Sequence, residues 1–254
     1  PFLNPEKKGA FNPSWLRPPD PAEARKYLEL GRGWIKQITI APELPRAVET
    51  AAILRQGGVT VALGHSNADF ETASQALRGD FTHITHSFNA QSGFSHRAPG
   101  VFGAVLASDQ VTGELIADGV HVHPGAMKVL LRCLGTDRIV LITDAIPGAG
   151  LPDGEYELIG QHITVRDSKA TLKDGTLAGS TAQMNQCVKI MHQLVRVSLA
   201  DAVRMASLNP ARVIQADKHI GSLETGKWAN LVVMDEEVNL YLCMVKGRIV
   251  FNNL

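Results

Sequence analysis

Short apolar runs alternate with stretches of helical spacing from about residue 34 to residue 143. Lys36–Ala41, Val59–Leu63, Phe81–His86, Thr112–Ala117 and Ile139–Thr143 read as strands. Pro45–Gln56, Ala68–Arg78 and Pro124–Leu134 read as helices, with Ser66 or Asn67 as the N-cap of the second. Alternation of this kind predicts a parallel sheet with helices packed on its faces. Five strands fall short of a closed eight-stranded barrel. The α/β choice therefore lies between an open doubly wound sheet and a partial TIM-like (β/α)8 barrel lacking its first strands. No glycine-rich dinucleotide fingerprint follows any strand, which favours the barrel.

Beyond residue 150 the pattern changes. Tyr156–Asp174 reads as a β-hairpin excursion with turns at Gly160 and Asp174-Gly175. Ala182–Val195 and Leu199–Leu208 read as two helices, the second ending before Asn209-Pro210. From Ile220 the segments Gly221–Leu223, Gly226–Met234 and Leu242–Val250 read as short strands separated by turns. The expected organisation is a barrel domain over 1–216 and the C-terminal part of a small β-sandwich domain over 217–254. A few strands alone are marginally stable and need partners. The opening Pro1-Phe2-Leu3-Asn4-Pro5 reads as though it begins inside a loop, which predicts a fragment of a longer chain.

Composition narrows the function classes. With 254 residues and 44% hydrophobic, the chain can bury one sizeable core. Its 25 basic and 25 acidic residues cancel, so capture of nucleic acid or an anionic membrane by bulk charge is excluded. Cys133, Cys187 and Cys243 are odd in number and widely spaced, which argues against a disulfide framework and fits a reducing, cytoplasmic setting. No apolar run approaches the roughly 18–20 residues of a membrane span.

The chemistry lies at the strand ends. His65, His86 and Asp144 each follow an apolar run, and the C-terminal ends of parallel barrel strands share one mouth. Imidazole is the commonest metal ligand, and a carboxylate beside it can carry a proton. Each has a plainer reading, as a polar loop histidine or a capping aspartate. His83 and His86 fall on opposite faces of a strand, so at most one enters the mouth, and His86 is the better placed. In His121-Val122-His123 both rings can face one side as a metal pair, or His121 can donate a hydrogen bond to substrate. Glu43 is a second-choice ligand whose simpler account is the first turn of the next helix. Arg97 sits in a glycine- and proline-rich loop and suits a phosphate or carboxylate, unless it is merely a solvated arginine.

Taken in order, Gly9-Ala10, Gly64-His65-Ser66-Asn67-Ala68, Thr85-His86 with Asn89-Ala90, Asp118-Gly119-Val120-His121, Thr143-Asp144-Ala145 and Leu177-Ala178-Gly179-Ser180 resemble the N-acetylglucosamine-6-phosphate deacetylases of the amidohydrolase superfamily. The tail pattern Gly226-Lys227…Ala229-Asn230-Leu231 is similar to the small β-domain of many amidohydrolases. The resemblance implies hydrolysis of the acetamide of N-acetylglucosamine 6-phosphate by a water activated on a divalent metal, which could be zinc, iron, cobalt or manganese. His65 and His86 would hold the metal, and Asp144 would be base and then acid. His121 would steady the carbonyl oxygen or sugar hydroxyls. Asn89, Ala90 and Arg97 would hold the sugar phosphate, with Ala10, Leu177, Ala178 and Gly179 lining the sugar pocket. In this family the phosphate arginine can come from a neighbouring subunit, which implies a homodimer. The family's metal-binding glutamate would precede Pro1, so these 254 residues are expected to bind metal poorly and a longer parent to be active.

Overall fold

The computed structural model describes residues Pro1–Leu254. Helix α1 (Pro21–Gly31) starts on an Asp20 cap with proline in its first turn, where a missing N–H costs nothing. The parallel units follow: β1 (Gln37–Ile40), α2 (Ala47–Gln56), β2 (Thr60–Leu63), α3 (Phe70–Arg78), β3 (Phe81–Ile84), α4 (Gly100–Leu106), β4 (Thr112–Ile116), α5 (Pro124–Leu134) and β5 (Ile139–Ile142). Helix α3 is capped by the Asp69 side chain, which accepts the Thr72 N–H at 2.8 Å, not by Ser66 or Asn67. Those two residues are already engaged with Glu43.

The five strands are all parallel and pair in the order β1-β2-β3-β4-β5, which is also their chain order. A doubly wound sheet reverses its order at a switch point. This one does not, so it is an arc of barrel. Register sets Ile40 beside Leu63, Leu63 beside Ile84, and Ile116 beside Ile142, so the C-terminal ends are level within β1-β2-β3 and within β4-β5; Ile84 pairs with Gly113, so β4 runs three residues past the end of β3. Thirty-seven buried residues, from Phe2 to Val238, form the core between the sheet and its helices.

The excursion after β5 is larger than a hairpin. Strands β6 (Gly154–Leu158), β7 (Gln161–Arg166), β8 (Lys169–Thr171) and β9 (Leu177–Ser180) form a four-stranded antiparallel sheet. Ile146, Ile163, Val165, Ala170 and Ala178 make its small core. Helix α6 (Met184–Ile190) continues as a π-turn over Met191–Val195, then α7 (Leu199–Ala206) leads to α8 (Leu208–Val213). Asn209-Pro210 therefore begins a helix and does not simply follow one, since proline is tolerated in a first turn. The tail is a three-stranded antiparallel sheet, β10 (Leu231–Met234), β11 (Leu240–Val245) and β12 (Arg248–Asn252). Gly221–Leu223 is not a strand, and Leu242–Val250 is not one strand but a hairpin turning at Lys246-Gly247. No helix is long and apolar enough to cross a membrane.

Candidate active site

Beyond the C-terminal strand ends lies a cavity of about 790 Å³, lined by His65, His86, His121 and Asp144 among others. His65 and His86 are both 7% exposed, and their Nε2 atoms stand 2.9 Å apart. The His65 Nδ1–H donates to the Lys7 carbonyl at 2.6 Å, which fixes the tautomer and leaves its Nε2 lone pair toward His86. Burial, with the neighbouring His86 second and against the opposing Lys7 hydrogen bond, pushes the His65 pKa down to about 4. It stays neutral at pH 7, the state a metal requires.

Backbone geometry is unusual at the same residues, which are among fourteen non-glycine residues with positive φ. His65 (φ 49°), His86 (φ 28°) and Asp144 (φ 51°) all take positive φ, as do Phe88 and Ala90 in the loop after β3. Such conformations cost of order 1–3 kcal/mol for a non-glycine residue and cluster at functional sites. Each is held from outside. Ser180 grips the Asp144 segment with three hydrogen bonds: its N–H to the Asp144 carbonyl at 2.8 Å, its hydroxyl to the Thr143 carbonyl, and its carbonyl from the Ile146 N–H at 2.9 Å. Gly179 permits that approach, because a Cβ there would lie 2.8 Å from the Asp144 carbonyl oxygen. Gly64, just before His65, meets a similar limit: its Cβ would lie 2.7 Å from Thr85 Cβ and 2.9 Å from Thr39 Cγ2.

His121 donates from Nδ1 to Asp118 Oδ2 at 2.7 Å, and its amide N–H donates to Asp118 Oδ1 at 2.8 Å. Burial raises the Asp118 pKa, but these hydrogen bonds and the nearby imidazole outweigh it and hold the carboxyl below its ordinary range. His123 does not join His121 as a metal pair. Its ring caps α5, accepting the Gly125 N–H at 3.1 Å. Glu43 is not in the first turn of α2 but in the loop before it. It ties that loop to the N-terminal segment and to the loop after β2, accepting from Asn4 Nδ2 at 2.8 Å, Ser66 Oγ at 2.7 Å and the Asn67 N–H at 2.7 Å.

Ala10, Asn89, Ala90, Leu177 and Gly179 line the cavity. Ala178 does not: strand alternation turns it into the small core beside Ile163 and Val165. Arg97 is exposed and lies outside the cavity lining of its own chain.

One residue escaped the sequence reading. Glu114, in the middle of β4, is 7% exposed. Its Oε1 accepts from Gln37 Nε2 at 2.7 Å and His83 Nε2 at 3.2 Å, and its Oε2 accepts the His86 N–H at 3.1 Å. Burial raises its pKa, but His83, Gln37 and the His86 N–H together outweigh that and hold the carboxyl below its usual range. The only sequence signal is an acidic residue inside an apolar strand. His83, fully buried and bonded also to Thr112 Oγ1 at 2.6 Å, belongs to this network and not to the mouth.

Fit to a divalent metal can be tested on the donors themselves. Two Nε2 atoms 2.9 Å apart can share one ion at bond lengths of about 2.0–2.1 Å. No group of three His, Cys, Asp or Glu side chains converges as a fuller ligand set. The site fits a metal through a two-imidazole arm.

The depressed His65 value has a measurable consequence. Its folded pKa lies below the unfolded one, so between pH 6.5 and about 4 the unfolded chain binds the proton more readily. Stability of the metal-free protein is therefore full above pH 6.5 and falls by about 3 kcal/mol as pH drops through that window. Urea midpoints at the two pH values check this. A His65→Asn variant should show a shallower fall, and an equal fall in both proteins would refute the assignment.

The comparisons with known proteins agree with this geometry. The sequence profile of the amidohydrolase family matches residues 16–250. An N-acetylglucosamine-6-phosphate deacetylase of Bacillus subtilis (strain 168) is 38% identical over 251 residues, covering 99% of this chain and 63% of that protein. An N-acetylgalactosamine-6-phosphate deacetylase of Escherichia coli O157:H7 is 37% identical, covering 98% of this chain and 66% of that protein. A crystal structure of a mutant N-acetyl-D-glucosamine-6-phosphate deacetylase from Mycobacterium smegmatis, in complex with N-acetyl-D-glucosamine-6-phosphate, superposes with a TM-score of 0.95. That structure is 35% identical and the match covers 99% of this chain and 67% of that one. The chain thus spans just under two thirds of the length of these two curated relatives. A sequential parallel arc, histidines at adjacent strand ends, an aspartate after the last strand and a profile match over nearly the whole length converge on one assignment: the chain belongs to the amidohydrolase family.

Proposed function

We infer that this chain carries the hydrolytic site of an amino-sugar-phosphate deacetylase, cleaving the acetamide of N-acetylglucosamine 6-phosphate to glucosamine 6-phosphate and acetate. The observation that carries the reading is the convergence of His65, His86, His121 and Asp144 on one cavity. The names of the similar proteins supply the substrate class.

His65 and His86 would hold the divalent cation, whether zinc, iron, cobalt or manganese. Such an ion supplies Lewis acidity toward the acetamide carbonyl and acidifies water. Asp144 takes the proton of the attacking water and returns it to the departing amine, because an amide nitrogen must be protonated to leave. His121, oriented by Asp118, meets the carbonyl oxygen as negative charge develops there. Asn89 and Ala90, on the loop after β3, together with Ala10, Leu177 and Gly179, border the space for the sugar.

Arg97 is exposed and lies outside the cavity lining of its own chain, which is compatible with a role at the cavity of a second copy. A homodimer with Arg97 on the sugar phosphate is the proposed assembly, in a cytoplasmic setting. The division into a barrel unit over 1–216 and a small β-unit over 217–254 is proposed with it.

The decisive experiment measures acetate release from N-acetylglucosamine 6-phosphate by a metal-supplemented longer parent of this chain, beside N-acetylgalactosamine 6-phosphate and unphosphorylated N-acetylglucosamine. Release from a phosphorylated sugar and little from the unphosphorylated one is expected. Sugar-phosphate binding without release would replace the enzyme with a silent binding protein. Release from the galacto epimer alone would move the substrate to that sugar, as the name of the Escherichia coli relative suggests.

A further inference from the structure

We propose that Glu114 is a positioning residue: it clamps the turn that carries His86 and thereby sets the approach of the two imidazoles. The inference rests on the proposed metal role of His65 and His86, but its first readout does not.

The clamp has two jaws on one residue. The Glu114 side chain accepts the His86 N–H at 3.1 Å, and the Glu114 carbonyl accepts the next N–H, of Ser87, at 2.8 Å. Ordinary ladder pairing between β3 and β4 covers only His83 with Thr112 and Ile84 with Gly113. Beyond it, the chain leaves the strand, and His86 adopts φ 28°, outside even the usual left-handed basin. A backbone in that state persists only where its surroundings over-determine it. A charge-assisted hydrogen bond from a buried carboxylate is among the stronger restraints a protein can apply.

The carboxylate is itself fixed. Gln37 on β1 and His83 on β3 both donate to Oε1, which leaves Oε2 for the His86 amide. All three partners are donors, and only an ionised carboxylate accepts from every one of them. A glutamine at this position has one acceptor oxygen and an NH₂ group that must face a donor. Burying Glu114 in a strand otherwise made of apolar and small residues is costly, and packing alone gives no reason for it. His86 Nδ1 is buried without a partner, so the ring is not held through that nitrogen, and the backbone clamp carries the orientation.

Two variants separate positioning from mere stabilisation. Glu114→Gln takes the charge out of the jaw on His86 and leaves one neutral oxygen among three donors, whereas His83→Gln cuts the far side of the network and leaves that jaw in place. In the metal-free protein, hydrogen-exchange protection of the His86 amide should fall at least about tenfold in Glu114→Gln and change less than about twofold in His83→Gln, although both lower the melting temperature. Cobalt(II) titrated alone should bind the Glu114→Gln protein about 10–100-fold more weakly, as expected when a group that orients a ligand is lost. Glu114→Asp should recover part of the protection. Unchanged His86 exchange in Glu114→Gln overturns the proposal, and so does an equal loss in both variants, which would make Glu114 an ordinary core partner. Should Glu114→Gln fail to fold, the parent decides: a His86 amide that exchanges as fast as exposed loop amides overturns the clamp, and a protected one supports it. Failure of the deacetylase reading would appear instead as absent acetate release with His86 exchange behaving as described.

Discussion

Asp144→Asn is expected to lower kcat on N-acetylglucosamine 6-phosphate by about 10²–10⁴-fold, with sugar-phosphate binding nearly unchanged. Asparagine matches aspartate in size and tolerates the left-handed backbone at φ 51°, so the grip of Ser180 on the segment survives. What disappears is the ability to take a proton from water and give one to the amine. The effect should therefore fall on turnover rather than on KM. A variant that keeps more than about a tenth of the parent kcat would remove Asp144 from the proton path, because general acid–base groups contribute at least 10²-fold.

The second large effect concerns the imidazole pair. In a longer parent of this chain, His86→Ala or His65→Ala should abolish stoichiometric retention of a divalent ion and cost on the order of 10³-fold or more in turnover. The magnitude follows from the several kcal/mol of transition-state stabilisation that a Lewis acid supplies. Two donors are already few, since a catalytic site commonly has three protein ligands. A single imidazole is not enough. Metal content after dialysis, read beside activity, checks the point. Either variant retaining one ion per chain would show that the metal lies elsewhere.

Much of this was legible along the chain because the relevant signal is topological. Strand–helix alternation is set by local periodicity, and parallel pairing in chain order then brings His65, His86 and Asp144 together without any knowledge of packing. The elements missed lack such a signal. Helix α1 buries only Pro21 and Ala24, so its apolar stripe is thin. Helix α4 fails for the opposite reason: six of its seven residues are buried, two of them glycines, and no polar face marks its period. Asn209-Pro210 looks like a helix terminator until the chain is seen to restart there. Glu114 was hidden by the same logic that exposed the strands. Hydrophobic patterning treats a mid-strand carboxylate as noise, and its partners Gln37, His83 and His86 come from other strands and a loop. Ala178 lies one step of alternation away from the cavity lining, and His123, which the sequence leaves open as a metal partner of His121, is a helix cap that spacing alone does not reveal.

The positive φ values at His65, His86 and Asp144 set stability against chemistry at three positions. Glycine would relax the backbone at each, and so would asparagine to a lesser degree. A population of variants selected only for surviving heat would therefore drift toward those residues and lose the two imidazoles and the carboxylate as it gained melting temperature. Two imidazoles and a carboxylate in these conformations cost folding energy, which accords with the roles proposed for them.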